Sequence, residues 1–213
     1  MTGLRERQKA GRRRDILAAA SQLFRKDGFA DTSVEAIAAL AEVGTGTVYN
    51  YFSSKGDLLM ALVALDGEQV RAKGKRYIAG VTGDAAAALY GLLAIYFDHS
   101  LVHLTKELWR NAMATALTQA DSPFGVSYAE NDGLLAAQVG ELIVALQAKG
   151  KVGPDIDASA AGNALFIQVN GLFQQFVARD RMPKAELHAK LREQLAVTVL
   201  GLLPTREPQR KRA

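Results

Sequence analysis

Between Thr45 and Lys55 the chain reads TGTVYNYFSSK, a run of hydroxyls, an amide and two phenols closed by an ammonium, with no carboxylate among them. Such side chains break no bonds unaided. They donate and accept hydrogen bonds, and a surface built from them suits phosphate oxygens and base edges. At about 100° per residue on a helix, Val48 and Phe52 fall on one side. Gly46, Thr47, Asn50 and Tyr51 fall on the other, with Thr45 and Tyr49 along an edge. One face is therefore apolar, and the free face is polar and uncharged. A second constellation is His99, His103 and Glu107, spaced by four residues. On one unbroken helix they would share a face and match the ligand count of a catalytic zinc site. The Glu that follows the first His in HExxH is missing, and no Ser-His-Asp order, phosphate loop or paired-carboxylate motif occurs elsewhere. No catalytic residue, metal or cofactor is therefore expected.

The elements that must hold the polar run are short. Thr32 and Glu35 have the form of a capping box, so a helix should begin at about Ser33 and bury Val34, Ile37, Ala38 and Ala41. Val43 and Gly44 end that helix. Gly44 is the residue expected to supply any positive φ in the turn, after which Thr45 opens a second helix of about seven residues. A helix of that length is unstable alone and depends on tertiary packing. The reading is two helices joined by a tight turn, the second held against DNA.

The string AEVGTGTVYNYFSSKGDLL resembles the helix-turn-helix signature of the TetR (tetracycline-repressor-like) family of transcriptional regulators. Ala41, Val43, Gly46, Thr47, Tyr49, Tyr51, Phe52, Lys55 and Leu58 match its pattern. Three positions depart: Glu42 replaces the usual turn glycine, Gly44 the usual capping serine, and Gly56 the usual acid. Glu42 also brings negative charge toward the expected phosphates. On this reading the DNA-binding residues are Thr32, Thr45, Gly46, Thr47, Tyr49, Asn50, Tyr51 and Lys55. Thr32, Thr47, Tyr49, Tyr51 and Lys55 are expected to meet phosphates, and Thr45 and Asn50 to read bases.

Charge is concentrated at the two ends. Residues 1–14 carry six basic side chains against Glu6, and the last ten residues carry Arg206, Arg210, Lys211 and Arg212 against Glu207. The net charge is +4, so the body between the ends is acidic. Residues 1–11 are expected to form a basic flexible arm that can add salt-sensitive DNA affinity, and 204–213 a basic tail. No apolar segment follows the arm, so it does not read as a signal peptide. The absence of cysteine fits a reducing cytoplasm, the expected location.

The chain as a whole reads as all-α with about nine helices. Residues 12–56 form a three-helix DNA-binding domain, and 57–203 a helical effector-binding and dimerisation domain. The helix that leaves the motif can couple the two mechanically. Further helices are expected over 84–97, 104–119, 128–149, 157–179 and 184–203, separated by breakers at 121–125, 149–155 and 179–183. No strand alternation, internal repeat or membrane-length apolar span appears.

In the TetR family the last two helices pair with those of a second subunit, and GNALFIQVNGLFQQF is similar to the first of them. The resemblance thus implies a homodimer through Phe166, Val169, Phe173 and Phe176 on one helix and Leu187, Leu191, Leu195 and Leu202 on the next. Burial of these residues within one chain is the competing reading. The middle helices should enclose an effector pocket, with Tyr96, Phe97, Trp109, Met113, Phe124, Tyr128 and Phe166 as apolar lining. Asn111, Gln168 and Asn170 would be its polar anchors. The implied protein is a dimeric repressor released from a palindromic operator by a small, largely hydrophobic effector. An effector-independent, DNA-bound organising protein is the alternative, and a helical metalloenzyme a more distant one.

Overall fold

The computed structural model describes residues 2–204. Its described residues form nine α-helices and a closing 3-10 helix, with no strand, as an all-α fold requires. The elements are α1 (Thr2–Asp27), α2 (Val34–Leu40), α3 (Thr45–Tyr49), α4 (Lys55–Ala79), α5 (Ala85–His99), α6 (Lys106–Thr118), α7 (Pro123–Gln147), α8 (Ala158–Ala178) and α9 (Lys184–Thr198), followed by the 3-10 helix Val199–Leu202. No described helix is long and apolar enough to cross a membrane.

Two boundaries differ from the sequence reading. The segment expected to be a flexible arm is helical, because α1 begins at Thr2 rather than near Arg13. Its Arg, Lys, Gln, Glu and Ala residues have favourable helix propensity, and Gly3 and Gly11 are too few to break it. Helix α7 starts at Pro123, inside the expected breaker. Proline suits the first helical position, where its missing N–H is no loss. Ser122 completes this start by accepting the Gly125 amide at 3.1 Å. Residues 205–213, which hold the charges of the expected basic tail, lie outside the described residues.

The chain divides into two compact units. The first comprises Met1–Gln69 and Asp98–Asp132, the second Val70–Phe97 and Gly133–Ala213. In this division the helix-turn-helix shares its unit with the start of α4, with α6 and with the start of α7. The first unit is cored by Ile16, Ala20, Phe24, Ile37, Val48, Leu58 and Leu62, with Leu104 and Leu108 from the later segment. Asp27 ends α1, and Gly28 at φ +85 turns the chain into the loop before α2, a conformation costly for any residue with a Cβ. Three contacts tie the later segment down. The Phe29 amide donates to Glu107 at 3.2 Å, the Ser21 hydroxyl to the His103 carbonyl at 2.9 Å, and the Arg25 guanidinium to the Leu101 and Val102 carbonyls.

The second unit packs α5, α7, α8, α9 and the end of α4 around Leu89, Leu92, Val139, Ile143, Leu165, Phe176, Leu187 and Leu191. Helices α7 and α8 approach closely at Gly140 and Gly162, where a Cβ added to Gly162 would stand 2.5 Å from the Gly140 nitrogen. Gln138 is the main buried polar link. Its Oε1 accepts the Tyr96 hydroxyl at 2.9 Å, and its Nε2 donates to the Arg71 carbonyl at 2.9 Å.

Candidate functional site

The helix-turn-helix is built from α2, a turn over residues 41–44, and α3. Ser33, not Thr32, caps α2: its backbone is extended and its hydroxyl accepts the Ala36 amide at 3.1 Å. Thr32 is buried and donates to the Gly28 carbonyl at 2.7 Å, so its hydroxyl locks the preceding loop and does not face a phosphate. The turn also differs from expectation. Gly44 sits at φ −71 as the N-cap of α3, with no side chain to offer, and the left-handed residue is Glu42 at φ 54.

Helix α3 spans Thr45–Tyr49, and Asn50 closes it in helical conformation. Val48 is fully buried and Phe52 nearly so, which pins the apolar side as the periodicity required. Gly46, Tyr49 and Asn50 are exposed, and Thr45, Thr47 and Tyr51 are half-buried at the surface. These six residues thus share one short segment whose free side carries donors and acceptors but no charge. Gly46 has open space where a Cβ would stand, with no heavy atom within 4 Å. The protein's own packing therefore does not demand glycine there.

Lys55 is not free to meet a phosphate. Its ammonium donates to the carbonyls of Phe29 at 2.6 Å, Ala30 at 2.9 Å and Thr32 at 3.0 Å, and lies 4.8 Å from the Phe29 ring centroid. An ammonium has three N–H bonds, and all are engaged. The residue clips the start of α4 to the loop before α2. Arg13 lies over Phe52, its guanidinium 5.5 Å from that ring's centroid.

The expected effector residues fall into two groups. Trp109, Asn111, Met113, Phe124 and Tyr128 belong to the first unit; Tyr96, Phe97, Phe166, Gln168 and Asn170 belong to the second. Several already have partners. Trp109 donates to the Ser100 carbonyl at 2.6 Å, Asn111 to the Glu107 carbonyl at 3.1 Å, and Phe97 stacks on Phe173. Gln168 accepts the Thr198 hydroxyl at 3.1 Å. Burial pushes the Tyr96 hydroxyl well above the usual phenol range, reinforced by Glu141 and opposed by Arg71. Tyr128 is raised in the same way by burial and by Asp132.

The residues expected at a dimer contact turn inward. Phe166, Val169, Phe173, Phe176, Leu187, Leu191, Leu195 and Leu202 are all buried within the second unit. The outward stripe is different: Asn163, Ala164, Ile167 and Gln174 on α8, and Glu193, Ala196 and Val197 on α9 with Leu200 beyond it, are exposed. A stripe of i, i+4 and i+7 positions off the main apolar face was the signal for it. The His99, His103 and Glu107 spacing is broken by the end of α5 at His99 and a turn over 100–103. His103 pairs with Gln69 at 2.9 Å, while Glu107 holds the Phe29 amide.

Known proteins share this fold and its helix-turn-helix segment. Residues 16–62 match the family model described as bacterial regulatory proteins, tetR family, a span that holds the end of α1, the helix-turn-helix and the start of α4. The HTH-type transcriptional regulator UidR of Escherichia coli K12 is 25% identical over 181 residues, covering 83% of this chain and 87% of that protein. Among solved structures, a TetR transcription regulator from Haloarcula marismortui superposes with a TM-score of 0.71 at 20% identity, covering 91% of this chain and 99% of that one. Thermus thermophilus FadR, a TetR-family repressor solved in complex with lauroyl-CoA, gives 0.62 at 23% identity, covering 94% and 100%. The solved structures share the fold, and the matched segment is the one that carries the polar face of α3. Residues 16–62 thus carry the helix-turn-helix domain of the TetR family of bacterial regulatory proteins.

Proposed function

We propose that this regulator acts in the cytoplasm as a homodimeric repressor that binds a palindromic operator through α3 and is released by a small, largely hydrophobic effector. The observation that carries the DNA reading is Gly46. A glycine inside a helix costs about 1 kcal/mol relative to alanine. Here no neighbouring atom excludes a methyl group. A residue that weakens its own helix without serving the protein's packing makes sense where another backbone must come close, as a phosphate would. Thr47, Tyr49 and Tyr51 then serve as phosphate contacts, and Thr45 and Asn50 as base readers. Thr32 and Lys55 support the element from behind. Repressor action and the effector are supported by the similarity to FadR, whose structure holds lauroyl-CoA.

The test is selection of duplexes from a random pool by the purified protein at physiological salt, run in parallel for Gly46→Ala. The wild type should enrich a palindrome with half-sites about 34–36 Å apart or a multiple of that. Gly46→Ala should melt at an equal or higher temperature and enrich nothing. Salt-sensitive binding without enrichment would instead favour the effector-independent organising role. A Gly46→Ala protein with unchanged selection would remove the close-approach argument.

A further inference from the structure

Within the first unit, α1 and α4 leave a groove between them of about 600 Å³. Its accessible apolar surface comes from Leu65 and Val102, with the buried side chains of Leu17 and Leu62 beneath. Its charged groups are all of one sign. Arg13 and Arg14 stand at the start of the groove and Arg25 at the far end, and no carboxylate lines it among the described residues. The volume lies in the range of small-molecule sites, and the lining combines apolar surface with polar side chains that can fix an orientation.

The three arginines are not equivalent. Arg25 already donates to the Leu101 and Val102 carbonyls, which closes that end. Arg13 rests against Phe52. Arg14 is exposed, and among the described residues it has no hydrogen bond, ion pair or ring contact. A guanidinium presents paired N–H donors that match a carboxylate in bidentate geometry. From these features we infer that the α1–α4 groove binds an amphipathic monocarboxylate, its head at Arg14 and its apolar body over Leu65 toward Val102, above the buried Leu17 and Leu62. Positive charge without a compensating acid selects an anion, and the apolar floor selects one with a hydrocarbon body. Ala18, exposed on α1 between Arg14 and Gln22, faces the same trough and sets its width. The site is distinct from the effector residues named above, because it shares none of its lining with them.

Octanoate and octanol, equal in chain length and different in charge, separate the two contributions. They would be titrated into methyl-labelled full-length protein and followed by nuclear magnetic resonance and calorimetry. A ligand of this size should bind with a Kd on the order of 1 mM or tighter. The expected result is saturable octanoate binding that shifts the methyls of Leu17, Leu62, Leu65 and Val102, with octanol about tenfold weaker. Arg14→Ala should lose about tenfold for octanoate and leave octanol unchanged. Ala18→Trp, at an exposed helix position that tolerates a large side chain, should block both ligands while the circular dichroism stays helical. No saturable binding, equal affinity for the two ligands, or shifts confined to methyls of the second unit such as Leu165 and Leu172 would each overturn the assignment. Duplex selection by the unliganded protein is unaffected by any of these outcomes, so the two proposals fail separately.

Discussion

At φ 54, Glu42 holds a conformation in which its Cβ crowds the following carbonyl, a strain of roughly 1–2 kcal/mol for an L-residue and none for glycine. The turn between α2 and α3 imposes that geometry, and the chain meets it with an exposed acid instead of a hydrogen atom. Glu42→Gly should therefore raise stability by about 1 kcal/mol, the strain relief less the extra backbone entropy that glycine loses. Glu42→Gln keeps the strain and removes the charge. In thermal melts only the glycine variant should gain, whereas in DNA binding at low salt both should gain alike if the carboxylate repels phosphate. A glutamine variant that melts like the glycine variant would mean the strain is not relieved where φ places it. Lys55 poses the opposite problem, a charge used inward. Lys55→Ala should cost about 2 kcal/mol in denaturant melts, the range for hydrogen bonds to a charged group on a partly exposed side chain. It should leave the slope of DNA affinity against log salt unchanged. A slope reduced by about one, with stability intact, would return Lys55 to the phosphate contacts.

On the scale of whole elements, the helix positions were largely readable and their caps and outer faces were not. Val48 and Phe52 are four residues apart, so the buried side of α3 followed from helical geometry alone. Thr32 and Ser33 both carry hydroxyls, and only the backbone geometry decides that Ser33 reaches the Ala36 amide while Thr32 turns to Gly28. A lysine after an aromatic run reads the same whether its ammonium meets phosphate or three carbonyls. On α8 the strongest apolar stripe marks the core of the chain itself, which left the weaker outer stripe of Asn163, Ala164, Ile167 and Gln174 unread. The contact between α7 and α8 was equally silent in the sequence, since Gly140 and Gly162 lie on separate helices and declare nothing until they meet. Gly162→Ala should destabilise by roughly 1–3 kcal/mol, as overpacking does, because the atom it strikes is backbone and cannot rotate away. Gly133→Ala, with open space around its Cβ on α7, is the matched control and should be neutral or mildly stabilising. Equal melting temperatures for the two variants would show that the helices can separate at no cost.

For the molecule as a whole, the question is what covers the outer side of α8 and α9. Ile167 is 62% exposed, Val197 73% and Leu200 68%, on one unit whose inward apolar residues are already satisfied. A two-fold pairing of this face would bury the same residues from both chains at once. That symmetry makes a charge placed there act twice. In the Ile167→Asp, Val197→Asp double variant, each carboxylate would have to leave water opposite a surface carrying the same substitution, at several kcal/mol per buried charge. Both positions are exposed in the single chain, so the fold should survive. Sedimentation should accordingly show a dimer for the wild type and a monomer for the variant, with the helical circular dichroism of both alike. Operator affinity follows from linkage. Joined half-site readers see each other at an effective concentration near the millimolar range, so the monomeric variant should bind a full palindrome at least about a hundredfold more weakly. Its affinity for a single half-site should be unchanged, because α3 and its polar face lie in the other unit. A variant that remains dimeric would move the interface away from α8 and α9. A monomer that keeps full palindrome affinity would instead show that the two half-sites are read independently.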